Sequence, residues 1–316
     1  RTSAMSSAEA QQLDVASQHT PESVLLPAEV LAESPSAKAG VDAETEAVHR
    51  IFGCEVIQEV GILLKLPQVV MCTAQNLFHR FLYRKPLTRF DAFEVGMGCF
   101  FLACKIEEKP KRVRETVFAF HYVLRRRTKQ KKALELGGPV YNFWKQELVK
   151  IERHILKELG FSFYVIDHAH KFLLFYVKLL DGDQALAQKA WSYLNDSMRL
   201  DVCLRYRSEV IACAAVSLAA DALGKKLPDS GDATWWDVFQ VDKAELDAVA
   251  NAILSLYARD KLHWLPSLVV SVSDDGGGGA TQKNNEDDDE PSSRGRRRPR
   301  ITDDHDALLA ALHQSS

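Results

Sequence analysis

What is missing narrows the reading first. No uncharged apolar run approaches the roughly 20 residues that a membrane-crossing helix requires. No leader pattern is legible either, so the expectation is a soluble intracellular protein without membrane contact. Charge of one sign is not in excess: 40 basic against 43 acidic residues leave a formal charge of −3. That balance argues against a chain devoted to coating nucleic acid, which would carry a basic surplus. Cysteine never occurs as a C-x-x-C pair. Cys54, Cys72, Cys99, Cys104, Cys203 and Cys213 lie mostly inside apolar stretches, the pattern of free buried thiols rather than of a disulfide framework or zinc site. His79, His121, His154 and His168 lack paired-ligand spacing, so no metal is expected. There is no phosphate-cradling glycine loop, no nucleophile elbow and no pair of metal-binding acids. The reading is therefore of a non-enzyme without cofactor or small-molecule substrate.

What is present is helical periodicity around one uncharged stretch. Val95 to Cys104 carries no charge and ends abruptly in Lys105-Ile106-Glu107-Glu108. A helix apolar on every side must be packed on every side, which makes this stretch the centre of a bundle. Lys105 would emerge at its C-terminal end, where a cation offsets the helix dipole. Before it, Val48, Phe52, Val56 and Val60 mark helix one from Glu44. Val70, Ala74, Leu77, Phe78 and Phe81 mark helix two after Pro67. After it, Val113, Val117, His121 and Leu124 mark helix four. The basic run Arg125 to Lys132 reads as a solvated loop. Helix five runs from about Val140 to Leu159, with Trp144, Leu148, Ile151 and Ile155 inward and Gly160 as its cap.

A second helical set begins near Asp167 and repeats the first. Laying Leu218 on Leu102, a shift of 116 residues (218 minus 102), also brings Leu186 onto Val70, Ala190 onto Ala74, Tyr206 onto Phe90 and Ile211 onto Val95. Internal duplication follows, with Val210 to Ala220 as the second buried centre. The same register sets Asp221 where the first repeat has Lys105, so the charged exit is peculiar to the first. Trp235-Trp236 reads as a core plug, and Leu246, Val249, Ile253 and Tyr257 mark the last helix. Residues 1–43 and 266–316, polar or blocked in charge, read as disordered tails. The domain expectation is thus 44–164 and 165–265.

Two all-α five-helix bundles in tandem, each around an apolar third helix, resemble the paired boxes of the cyclin family. The words that carry the resemblance are Phe101-Leu102-Ala103-Cys104-Lys105-Ile106-Glu107-Glu108 and, downstream, Ile151-Glu152-Arg153-His154-Ile155-Leu156-Lys157-Glu158-Leu159-Gly160-Phe161. Within the family the chain is most similar to the cyclin L group, with cyclin K and cyclin T close. Ile57-Gln58-Glu59-Val60-Gly61, His79-Arg80-Phe81, Lys109-Pro110-Lys111-Arg112-Val113-Arg114 and His168-Ala169-His170-Lys171 support this. No Trp stands in Arg50 to Gly61, so the resemblance does not extend to a cell-cycle docking patch. Only Arg294 to Arg300 stands where cyclin L proteins carry a long arginine-serine tail.

The resemblance implies a regulatory subunit that forms a heterodimer with a cyclin-dependent kinase and activates it, in the nucleus, in RNA polymerase II transcription or pre-mRNA processing. It assigns Lys105 and Glu152 to gripping the start of a kinase helix through its backbone. Ile106, Glu107, Glu108, Phe118 and Tyr122 are added as neighbours. Read singly, Lys105 is dipole compensation, Glu107 and Glu108 are a solvated turn, and Glu152 is surface charge. The repeat and the two signatures together favour the grip. A double bundle of the TFIIB type, straddling DNA, is the rival from another class. It would call for an N-terminal zinc ribbon and a basic second repeat, whereas the first forty residues hold no Cys and the second repeat is rich in Asp; direct nucleic-acid binding is not expected. A scaffold without a kinase is the remaining alternative.

Overall fold

Aspartate starts four of the long helices. Asp42 accepts from the Thr45 amide at 2.8 Å, Asp91 from Phe93 and Glu94, Asp183 from Leu186, and Asp242 from Ala244. Each satisfies an amide that has no partner inside its helix. The computed structural model describes residues 25–129, 133–161, 163, 168–228, 234–259 and 265–269. Their regular elements are all helical: α1 (Ala28–Ala32), α2 (Pro35–Lys38), α3 (Ala43–Leu63), α4 (Gln68–Leu82), α5 (Ala92–Ile106), α6 (Val113–Thr128), α7 (Pro139–Glu158), α8 (His170–Leu179), α9 (Gln184–Ser197), α10 (Val202–Arg205), α11 (Ser208–Ala222) and α12 (Lys243–Tyr257), with a 3-10 turn at Asp237–Phe239.

The apolar stretch is central, as its composition requires. Every residue of α5 from Ala92 to Cys104 is buried except Glu94, and α3, α4, α6 and α7 pack around it. In the second set α11 takes the same place among α8, α9 and α12. Two hydrophobic cores result, one per set. The 116-residue shift is visible in the helix limits. It carries Ala92–Ile106 onto Ser208–Ala222 without remainder and Gln68–Leu82 onto Gln184–Ser197 within one residue; Leu63 falls on Leu179, the last residue of α8. Beyond α11 the register ends, and among the described residues a 3-10 turn occupies the place of α6. Trp235 is buried in the second core with Trp236 at its edge.

Three expectations change. Residues 25–42 are folded rather than disordered. The Leu26 amide donates to the Leu204 carbonyl at 2.9 Å, and the fully buried Ser36 accepts from the Leu87 amide at 3.1 Å. This strap touches both sets, and backbone donors hold it, which composition does not reveal. At the other end, residues 265–269 belong with the first core: Leu265 and Leu268 pack on it, and the Pro266 carbonyl lies 3.1 Å from His49 Nε2. Finally, Arg125 to Thr128 complete α6 rather than a loop. The Arg127 side chain is only 8% exposed and bridges Glu55 and Glu59 of α3 at 3.2 and 2.6 Å. Residues 130–132 of that run lie outside the described residues, as do 1–24 and 270–316 with their basic stretch.

Polar contacts join the two sets. Tyr83 donates to Asp201, which also accepts from Arg205 at 2.7 Å. His79 Nε2 is 3.2 Å from the Met198 carbonyl, and the Arg199 guanidinium is 3.5 Å from Glu55. Burial alone would raise the Asp201 carboxyl, but Arg205, Tyr83 and His79 outweigh it and hold the group at about 2.

Candidate functional site

Gly98 on α5 lets α7 approach closely. A β-carbon there would stand 2.6 Å from Ile151 Cγ2, so the two helix backbones meet where only hydrogen fits. Two turns farther along α5 stands Lys105. Side chains in a helix lean toward its N-terminus, and Lys105 follows the rule. Its Nζ lies 4.3 Å from the centroid of the Phe101 ring, four residues back, and reaches Glu152 Oε1 on α7 at 2.5 Å. The residue beside Glu152 is Ile151, the one packed on Gly98. Close packing at the crossing and charge pairing at the exit are therefore one construction.

The pair is unevenly exposed: the Lys105 side chain is 47% accessible and Glu152 only 12%. An ion pair with one exposed partner adds no more than about 1 kcal/mol to stability. What it does accomplish is to present an ammonium and a carboxylate side by side, one offering donors and the other acceptors.

The turn after Lys105 is fixed as well. Lys109 donates its amide to the Cys104 carbonyl at 2.8 Å and Glu108 to that of Lys105 at 3.3 Å, with Glu108 at φ 52°. This is a Schellman closure with a non-glycine residue in the left-handed position. Glu108 is exposed, and Ile106 is half-buried against the first core.

Other candidates are placed elsewhere. Glu107 does not face outward beside Lys105: its Oε1 accepts from Thr73 Oγ1 at 2.5 Å, and the same hydroxyl lies 2.8 Å from His168 Nε2 of the second set. Phe118 is half-buried, its ring 5.8 Å from that of Tyr141, and lines a cavity of about 260 Å³ with Arg114, Glu115 and Leu136. Tyr122, one turn on, is 45% exposed. Sequence reasoning missed Thr73, Phe101 and Gly98. Gly98 had a signal, since two glycines, Gly96 and Gly98, interrupt an otherwise bulky run. Among the described residues no group of His, Cys, Asp and Glu could hold a metal ion, and no helix is long and apolar enough to cross a membrane. Burial pushes the thiols of Cys72, Cys104, Cys203 and Cys213 up to about 12, which suits packing rather than reactivity.

Comparison with known proteins gives the family. The family described as "Cyclin, N-terminal domain" matches residues 29–164, beginning inside the strap. Cyclin-L1-1 of Oryza sativa subsp. japonica is 43% identical over 238 residues, covering 75% of this chain and 55% of the relative. Cyclin-L2 of Homo sapiens is 42% identical over 245 residues, covering 77% and 46%. The chain belongs to the cyclin family. Its resemblance to the cyclin L group is borne out by these relatives, and this cyclin spans about half the length of those it matches. Two solved structures share its fold. A chain of the yeast RNA Pol II CTD kinase CTDK-1 complex has a TM-score of 0.58 at 19% identity, covering 74% of this cyclin and 73% of that chain. A chain of the Chaetomium thermophilum CAK complex bound to ATP-gamma-S has a TM-score of 0.55 at 15% identity, covering 79% and 81%. The all-helical double-bundle architecture is thus that of the family.

Proposed function

We propose that this cyclin binds a cyclin-dependent serine/threonine kinase as a heterodimer and activates it, without itself catalysing a reaction. The observation that carries this reading is the Lys105–Glu152 pair held at the exit of the buried helix of the first set. A protein kinase is active when a helix of its small lobe swings inward so that its Glu meets the ATP-binding Lys. Holding that helix calls for a rigid surface whose donors and acceptors suit a helix end. In the proposed complex Lys105 donates to backbone carbonyls and Glu152 accepts from backbone amides. Such charge-assisted bonds are strong and indifferent to the partner's side chains. Exchanging the Lys105–Glu152 bond for them costs little, because the exposed pair is weak in water. Ile106, Phe118 and Tyr122 would supply apolar area around the grip, and Glu107 would act through the turn it braces.

The sets proposed as domains are 44–164 and 165–265, with the strap and residues 266–269 added to the first, on whose core Leu265 also packs. The resemblance to cyclin L supports a nuclear role in RNA polymerase II transcription or pre-mRNA processing as part of the same proposal. The test is co-expression with individual cyclin-dependent kinases and measurement of binding and activation for Lys105→Glu, Glu152→Gln and Asp221→Lys. Each protein is also checked for helicity and melting temperature. Removing one member of a buried hydrogen-bonded charge contact costs roughly 2–5 kcal/mol, so binding should weaken about thirtyfold or more for the first two. The exposed Asp221, in the register position of Lys105, should tolerate its change. Normal activation by a folded Lys105→Glu protein would overturn the assignment.

A further inference from the structure

The strap carries a chemical feature that the kinase surface does not use. Ser34 is followed by Pro35, and among the described residues this is the only serine or threonine that precedes a proline. Glu33 (φ −142°, ψ 103°) and Ser34 (φ −70°, ψ 158°) are both extended, the form in which protein kinases take their substrates. A residue before proline is biased to that form. Downstream, α2 is a single turn of four residues and marginal by itself. Ser34 is half-buried, whereas Ser36 is wholly buried, so only the first hydroxyl is within reach of an enzyme.

The position of Ser34 gives its modification a consequence. Its hydroxyl donates to Glu46 Oε2. Glu46 is 7% exposed, and its other oxygen is held by Arg50 Nε at 2.9 Å and Nη2 at 2.6 Å. Arg50 in turn donates to the His79 carbonyl at 3.3 Å and lies 4.4 Å from the centroid of the Tyr83 ring, whose hydroxyl reaches Asp201 of the second set. A neutral serine completes a balanced group of one carboxylate and one guanidinium.

We propose that Ser34 is a phosphorylation site for a proline-directed protein kinase, and that its phosphate releases the strap from the two helical sets. In the step, Ser34 Oγ attacks the γ-phosphorus of ATP. The new O–P bond forms as the bond from that phosphorus to the bridging oxygen breaks, ADP departs, and the hydroxyl proton passes to the modifying kinase's base. The product has no hydrogen to give Glu46 and brings a charge of about −2. One guanidinium then faces a phosphate and a carboxylate in a site nearly closed to water. Lys38, the single basic residue of the strap, is exposed and already faces Glu33 at 3.8 Å. The strap leaves, and with it go the Leu26–Leu204 and Ser36–Leu87 hydrogen bonds.

The experiment uses the full chain carrying Thr20→Ala, which removes the Thr20-Pro21 pair, with and without Ser34→Ala. Each is incubated with ATP and a purified proline-directed kinase, sites are assigned by mass spectrometry, and amide exchange is followed before and after. One phosphate on Ser34, absent from Ser34→Ala, with exchange over residues 25–42 faster by about tenfold or more, supports the proposal. Failure to modify the folded chain when a peptide spanning Ala28 to Gly40 is modified readily would overturn the site. Stoichiometric modification with unchanged exchange would overturn the release.

Discussion

Two glycines on one helix offer a controlled test of how the α5–α7 crossing is built. At Gly98 an added methyl would meet Ile151 Cγ2 at 2.6 Å and Ile155 Cδ1 at 2.8 Å. At Gly96 the nearest atom is Ile57 Cγ1 at 3.6 Å, an ordinary contact. Ile155 Cδ1 ends a rotatable chain and can turn aside. Ile151 Cγ2 sits on a β-branched carbon whose χ1 is locked in a helix, so relief there needs the backbone of α7 to move. Both glycines are helical, so both alanine variants gain the same roughly 0.5–1 kcal/mol of helix propensity. In the difference between them that gain cancels, and what remains is the overpacking cost, about 1–3 kcal/mol. Gly96→Ala should be as stable as the parent or slightly more so. Gly98→Ala should melt roughly 2–12 °C below Gly96→Ala, given about 2–4 °C per kcal/mol for a protein of this size. Because Ile151 precedes Glu152, Gly98→Ala should also weaken kinase activation well below its melting temperature, while Gly96→Ala should not. Thermal denaturation and an activation assay on the two variants side by side decide it. Equal stability of the two would refute the packing account, and a destabilised Gly98→Ala that activates normally would break the link between the crossing and the grip.

Two more predictions concern the polar contacts. Burial above all, and then Arg50, push His79 down to about 4 from the ordinary 6.5. Its folded value is depressed, so the unfolded chain takes up the proton first. The contribution is whole above pH 6.5 and is lost as pH falls toward 4, about 3 kcal/mol in all. Urea midpoints across pH 7.5 to 4.5 should fall for the parent and flatten for His79→Gln; an unchanged slope would exclude His79 as the source. Arg127→Met removes a side chain 8% exposed that serves both Glu55 and Glu59, and should cost about 2 kcal/mol or more. Arg126→Met, at 59% exposure and paired among the described residues with Glu59, should cost under about 1 kcal/mol by the same denaturation measurement.

The contrast between these two arginines shows where sequence reading succeeds and where it stops. Charge-free composition located α5 and α11, because a run without charge has no face to give to water. The 116-residue register, found from apolar matches alone, agrees with the helix limits. The Lys105–Glu152 pairing was reachable only through the family signatures, since 47 residues separate the two and nothing local joins them. Arg127 looked like Arg126 in the string of letters. What buries it is the Glu55 and Glu59 pair, one turn apart on α3 and about 70 residues upstream. Glu107 looked like Glu108, yet one meets Thr73 and the other solvent. The strap escaped because helices of four and five residues carry no readable period, and because the bonds from the Leu26 and Leu87 amides that tie it down are made by the backbone.

The bond from Thr73 to Glu107 changes what the second helical set is for. Glu107 caps α5 two residues beyond Lys105, and the hydroxyl that holds it is also held by His168, at the threshold of α8. The direction in which Lys105 leaves its helix is therefore set partly by residues of the other repeat. A first set cut free would keep its core and its ion pair, but the turn that aims the lysine would lose its outer support and wander. The repeat that has only Asp221 at its own exit is a buttress for the repeat proposed to grip.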